Sequence, residues 1–399
     1  MDKNIYESLP QPVTSPPLLV KAALFLVPVA ILGVTPRLWI TSIIATSGYL
    51  VLMVAFLTVQ ERPRVVGNSV WFYCLSITSC LIWGMLRSSV YSSGISYGVQ
   101  EGLYFILIII PFSIAVSSLC QRTEDITYIL WGYVALGSAI AILTVAFSTR
   151  YILGADRYRW SGNLCAVNAL ILLQFWIVRN KAVAIILALI STMAVLITGC
   201  RQSLAILGIG VLTMLLIYLL HWRNNIKRIL IVALILIFAV FFWNTIINLK
   251  VSSLMLIRYH ALRTSSYGDR SWLFRLAWRA FLEYPFFGTG IGEFTNRYTG
   301  STGLYPHNVF LEILCELGIF GVLVFFVPIF ISEYQILRQW IMFGKPSLSH
   351  LLILCVCFMV AASISGNFVS NRSMWLFAIL TLHFTSRHIV AGKALAAPI

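Results

Sequence analysis

Twelve long apolar runs dominate what this chain can fold into. They fall at residues 18–35, 38–59, 68–86, 98–119, 126–147, 163–178, 182–200, 203–221, 229–248, 308–335, 348–367 and 372–386. A bilayer's hydrocarbon core takes about 20 helical residues. In lipid every backbone N–H and C=O must find its partner within the segment, so runs of this kind are expected to be spanning helices. Composition agrees: 60% of the 399 residues are apolar and 10% charged, against about 45–50% and 25% in soluble domains. The expectation is an all-α polytopic membrane protein of about 12 helices, with residues 1–399 forming a single transmembrane domain. The first sixteen residues lack the basic-apolar-small pattern of a cleaved signal, so the first run is read as a retained helix. One connection is long, residues 249–307, and is expected to carry short helices.

The formal net charge of +15 would point to nucleic acid in a soluble protein. Here it is read as topology and contact with membrane lipids, with no nucleic-acid partner. With the N-terminus inside, short loops carry fourteen Lys and Arg on the cytoplasmic side and seven on the other. That asymmetry favours both termini in the cytoplasm and the 249–307 loop on the outer face. The outer cations are also unusual in kind, since thirteen of fourteen are arginine. A topology signal accepts Lys or Arg alike; a guanidinium is preferred where phosphate or carboxylate must be gripped by two parallel hydrogen bonds. Contact with anionic headgroups is the competing explanation. The eight cysteines lie almost all in apolar runs and are read as small core residues, with no zinc-type spacing, no metal site and no cofactor expected.

Three stretches on the outer side could carry chemistry. In the first, Arg270 to Glu283 is expected to form a helix stopped by Pro285. At 100° per residue, Arg270, Phe274, Trp278 and Phe281 fall within about 80° of one another, so Arg270 is placed on the inward apolar face. Arg275 and Arg279 then form a solvated stripe. The following glycines at 288, 290 and 292 make a tight turn back to the membrane more readily than a dinucleotide site, which needs a strand before it. The second stretch is Tyr305-Pro306-His307-Asn308. Pro306 fits a first helical turn, which puts His307 at a helix N-terminus. There the helix dipole and nearby arginines keep the imidazole neutral, the state a general base needs; an interfacial structural histidine is the alternative. In the third, Arg201 sits between two runs, as a ligand of anions or as a snorkelling anchor. Arg157 and Arg159 stand where the sixth run enters the membrane, and Arg372 opens the last run.

Together these features resemble the O-antigen ligase and O-antigen polymerase superfamily. The resemblance lies in Arg270 followed by the Pro285 to Phe294 turn, then Pro306-His307-Asn308 with Leu311 and Gly318 downstream. Arg201 at an outer helix end, and Arg159, Gly162 and Asn168 before it, complete the order. Phe274 stands where the family often has Trp, and Leu204 is one residue closer to Arg201 than in the usual ligase spacing. The resemblance implies a GT-C-like glycosyltransferase with its active site on the periplasmic face. It would act as an O-antigen ligase, an inverting and metal-independent enzyme of lipopolysaccharide assembly. The donor would be an undecaprenyl-diphosphate-linked glycan and the acceptor a sugar hydroxyl of lipid A–core. His307 would then be the catalytic base, and Arg201 and Arg270 would hold the diphosphate, with Arg157, Arg159 and Arg372 as further candidates. Glu312 and Glu316 are expected to be structural partners of arginines. Two alternatives stay open: an O-antigen polymerase, differing only in its acceptor, and a transporter or flippase, which would carry polar groups nearer the membrane's midplane.

Overall fold

The computed structural model describes residues 16–32, 39–58, 66–91, 97–148, 158–179, 182–221, 266–300, 304–343 and 346–395. No strand occurs among them. The helices are α1 (Leu18–Phe25), α2 (Val27–Leu32), α3 (Trp39–Thr58), α4 (Asn68–Tyr91), α5 (Tyr97–Tyr104), α6 (Ile110–Leu119) and α7 (Ile126–Ala146). They continue with α8 (Tyr158–Arg179), α9 (Ala182–Thr198), α10 (Arg201–His221), α11 (Ser266–Glu283), α12 (Val309–Phe343), α13 (Pro346–Ile364) and α14 (Arg372–Leu395). Every expected apolar run falls on helix except 229–248, which lies outside the described residues, as do residues 249–265 of the long connection. Six helical stretches are long and apolar enough to cross a membrane: Asn68–Ser88, Gly98–Leu119, Thr123–Ala146, Arg159–Ile177, Arg201–Tyr218 and Val309–Ile341. Among the described residues the protein is thus all-helical, with several helices suited to a membrane.

Two irregularities position the site. The first is a break in α12 at Gly318, whose φ of 69° and ψ of −166° leave the helix. Such a break strands backbone groups that lipid cannot satisfy. The turn after α11 supplies their partners. Ile319 donates to Pro285 O at 2.8 Å, Thr289 to Cys315 O at 3.0 Å and Gly290 to Glu316 O at 2.9 Å. The same turn reaches α4, where Ser88 Oγ donates to Ile291 O at 2.6 Å. A Cβ on Gly318 would sit 2.4 Å from the Phe286 carbonyl carbon, so only glycine permits this approach. The expected tight turn after α11 is therefore a backbone clasp between α4 and α12. It brings α11 down on α12, with Leu273, Ala277 and Ala280 packed against Phe294 and Cys315.

The second is the turn of residues 365–371, between α13 and α14. It is tied to the aromatic core by Trp375 Nε1, which donates to Phe368 O at 2.6 Å. The Trp375 ring in turn packs edge-on against Phe105 and Phe325, at 5.4 and 5.3 Å between centroids. Glu312 Oε2 accepts from Phe368 N at 2.9 Å, and Asn367 Nδ2 donates to Glu101 Oε1. The turn is held to α12 by the buried Glu312 and to α5 by the half-buried Glu101, and the polar site is built on it.

Candidate functional site

Several helix ends meet at one end of the bundle. Arg159, in the first turn of α8, donates from Nη1 to Ser365 Oγ at 2.7 Å. Arg270, in α11, donates from Nη1 to Ile364 O at 3.4 Å. Gln202, second residue of α10, donates from Nε2 to Ala361 O at 2.7 Å. Three segments remote in sequence thus converge on the C-terminal turn of α13, whose last carbonyls have no partner within their own helix.

His307 completes the group, by a route the Pro306 argument does not foresee. The helix starts at Val309 rather than at Pro306. Asn308 is its N-cap, with Oδ1 accepting from Leu311 N at 3.1 Å. A side-chain cap of this kind competes better for the helix start than proline does. His307 is left just outside the helix, with a φ of 55°. A non-glycine residue in that left-handed region costs on the order of 1–2 kcal/mol, which the surrounding packing sustains. Its ring lies 4.2 Å from that of Tyr305, and its Nδ1 is buried with no hydrogen-bond partner among the described residues. Burial, then the Arg270 and Arg159 guanidiniums, push the imidazole down from its usual value to about 4. His307 is therefore neutral at pH 7, as expected from its cationic neighbours.

Arg270, Arg159 and His307 are thus brought together. Arg201 opens α10 directly before Gln202. Arg372 takes a different position: its guanidinium lies over the Tyr104 ring at 5.1 Å, in a crevice also lined by Tyr49, Phe112 and Ser113. Arg157 lies outside the described residues. The face of α11 differs from expectation. Phe274 and Trp278 are exposed, and the packed stripe is Leu273, Ala277 and Ala280. Small residues let the helix lie close on α12, and the bulky aromatics are turned outward. Arg270 precedes that stripe by three residues, so it still points into the bundle. Arg279 pairs with Glu283 at 3.0 Å in the open, as a solvated stripe should.

Glu312 and Glu316 are buried and serve backbone rather than arginines. Glu312 accepts from Phe368 N, and Glu316 lies against the amides of Gly292 and Phe294. Sequence reasoning also missed Tyr305 and Ser365. Tyr305 stands two residues before His307 and could have been picked from that alone; nothing local marks Ser365, whose partner is 206 residues away.

A cavity of about 150 Å³ opens beside Arg159. Its lining includes Arg159, Trp160, Asn163, Gln202 and Tyr305 together with Tyr133, Val167, Phe358 and Met374. Among the described residues, no group of three or more His, Cys, Asp or Glu is arranged to hold a metal ion. The arrangement can bind an anion through fixed guanidiniums and accept a proton on a neutral imidazole beside it.

Residues 185–326 match a family model described as O-antigen ligase. The match spans α9 to the middle of α12, and so includes Arg201, Arg270 and His307. Comparison with curated proteins finds no match.

Proposed function

We propose that this chain, which matches a family model described as O-antigen ligase over residues 185–326, is an inverting glycosyltransferase of the bacterial inner membrane. It moves a glycan from undecaprenyl diphosphate to a sugar hydroxyl of lipid A–core. The observation that carries this reading is a neutral His307 beside two guanidiniums, Arg159 and Arg270, in a chain that matches an O-antigen ligase model over residues 185–326.

The chemistry follows from that neighbourhood. As the glycosidic bond breaks, negative charge grows on the diphosphate, and preoriented guanidiniums stabilise it without reorganising. Arg270 and Arg159 take that role, with Arg201 completing the diphosphate site from the start of α10. His307 removes the proton of the attacking hydroxyl. A single displacement on the face opposite the diphosphate inverts the anomeric centre. Fixed guanidinium charge supplies what a divalent cation would, so the transfer runs without one. Arg372 and Arg157 are kept as secondary contacts of the donor.

The test is transfer of a labelled lipid-diphosphate glycan to purified lipid A–core, with and without a chelator. The wild-type protein is expected to transfer in both conditions and His307→Ala in neither, at unchanged donor binding. Normal ligation by His307→Ala removes the assignment of the base, and loss of turnover with chelator removes metal independence. Transfer to a second lipid-linked unit instead of lipid A–core would identify a polymerase, which shares donor and leaving group.

A further inference from the structure

One ionisable side chain lies deep in the bundle and has no part in the steps above. Glu333 of α12 is only 8% exposed, within the stretch Val309–Ile341 that is apolar enough to cross a membrane. Cys355 of α13 and Thr381 of α14 lie against it, yet neither carboxyl oxygen has a well-formed hydrogen bond among the described residues. Cys355 is nine residues from Ile364, and Thr381 nine from Arg372. The group is thus about 14 Å from the helix ends that carry the candidate site. Tyr73, close to Cys355, is five residues from Asn68 at the opposite end of α4, about 8 Å away. Glu333 therefore lies at neither end of the bundle. Within a membrane such groups are costly to bury and by default mark function.

Its surroundings decide what it holds. A buried carboxylate needs a cation or a proton, and no Lys, Arg or His among the described residues faces this one. On α12 itself Tyr334 and Arg338 are exposed. From α13, His350 packs on Phe175 and Cys357 turns to Ile206 O. From α14, His383 turns to Cys120 O. From α4, Tyr73 directs its hydroxyl to Phe325 O at 2.8 Å, with Cys74 next to it in the chain. That leaves Cys355 as the titratable neighbour in contact. A hard metal cation takes about six or more oxygens, and one hydroxyl and one thiol are all that Thr381 and Cys355 add. Thr381 settles the choice. Its hydroxyl already donates to Phe377 O at 2.7 Å, so Oγ1 is left only to accept. An ionised carboxyl can also only accept, whereas a protonated one donates. With a proton, Glu333 can bond Thr381 Oγ1 and turn its other oxygen to the Cys355 thiol.

We propose that Glu333 is a proton-binding site within the membrane, and that its proton closes α12 on α13 and α14. The carboxylate takes one proton from water as the helices close, which cancels its negative charge, and returns it to water when they part. No other bond is made or broken. α12 begins beside His307, and α13 ends at the turn on which Arg159 and Arg270 converge, so the joint is linked to the candidate site through both helices. Neither the proton nor the joint depends on glycosyl transfer.

Infrared spectroscopy of the purified full-length protein reads the proton directly, because the C=O stretch of a carboxylic acid stands apart from carboxylate bands. At pH 7 the wild type is expected to show an acid band that is missing from Glu333→Gln. If that variant does not fold, Cys355→Ser, which puts a firmer donor beside the same carboxyl, should shift the band. Reversible unfolding in mixed micelles reads the linkage. In the unfolded chain a glutamate ionises above about pH 4.3, whereas the folded protein keeps the proton, so this contribution to stability is lost as pH rises. From about pH 5 to 7 the wild-type folding equilibrium should fall about 100-fold relative to Glu333→Gln, a factor of about ten per pH unit. Absence of an acid band at pH 7, a band untouched in the folded variant, or a constant gap between wild type and Glu333→Gln across that range overturns the proposal. All of these are read without any transfer, so failure of the proposed function leaves them standing.

Discussion

At the scale of single residues, His307 raises a question of strength. An imidazole held at about 4 is neutral at pH 7 but a weak base, and general-base catalysis is best with a pKa near the working pH. The proposed donor would resolve this. Its diphosphate would bring negative charge against Arg270 and Arg159, which after burial hold the imidazole down, and opposite charge favours the imidazolium. The bound donor should therefore raise the pKa of His307, giving a stronger base in the complex than in the free protein. Because kcat/KM reports the free enzyme and kcat the complex, the acid limb of kcat/KM should fall near pH 4 and that of kcat at a higher pH. In Arg270→Gln a cation is lost, so the kcat/KM limb should move up toward the usual imidazole value. Coincident limbs, or an unmoved limb in Arg270→Gln, would contradict this neighbourhood. The proximity of arginine to His307 was legible in the sequence, because outer arginines outnumber lysines so heavily. Which arginines was only half legible: Arg270 shares the packed side of its helix with Leu273 and Ala277, a register that periodicity approaches, whereas Arg159 meets Ser365 across a separation no local pattern records.

At the scale of elements, the site depends on joints more than on helices. The helices themselves are written in the apolar runs, and α4, α7 and α8 begin and end within a few residues of them. The joints are not. Asn308 rather than Pro306 starts α12, because a cap side chain answers the orphan N–H of Leu311 and a proline ring does not. The break at Gly318 is invisible in a run as apolar as Val309 to Ile341; it exists because residues 285–290 supply its hydrogen bonds from outside. These joints make different demands. Asn308→Ala should cost about 1 kcal/mol and move His307, lowering kcat more than it raises KM. Gly318→Ala places a Cβ 2.4 Å from the Phe286 backbone at a φ of 69°, a strain on the order of 1–3 kcal/mol before the clash is counted. Melting of the purified protein, followed by tryptophan fluorescence, should show Gly318→Ala clearly less stable than Asn308→Ala. Equal melting of the two would mean the clasp can yield.

At the scale of the whole molecule, the two ends of the bundle differ. Arg159, Arg201, Arg270, His307 and Ser365 share one end. The other carries the loop before α7, where Asp125 Oδ2 accepts from Arg122 N at 3.0 Å and His383 Nε2 lies 3.1 Å from Cys120 O. The reaction proposed requires the first end to face the periplasm. That orientation is the one expected from the lysine and arginine bias of the short loops, and it can be tested directly. The eight native cysteines are all buried, so they contribute little background to labelling by a membrane-impermeant maleimide. Asn296, exposed near the site, and Glu124, exposed at the opposite loop, are suitable reporters. In intact spheroplasts Asn296→Cys should label and Glu124→Cys should not; after permeabilisation both should label. The reverse pattern would put the guanidiniums and His307 in the cytoplasm, where neither substrate waits, and the glycosyl transfer proposed for them would have to be abandoned even if every distance at the site were correct.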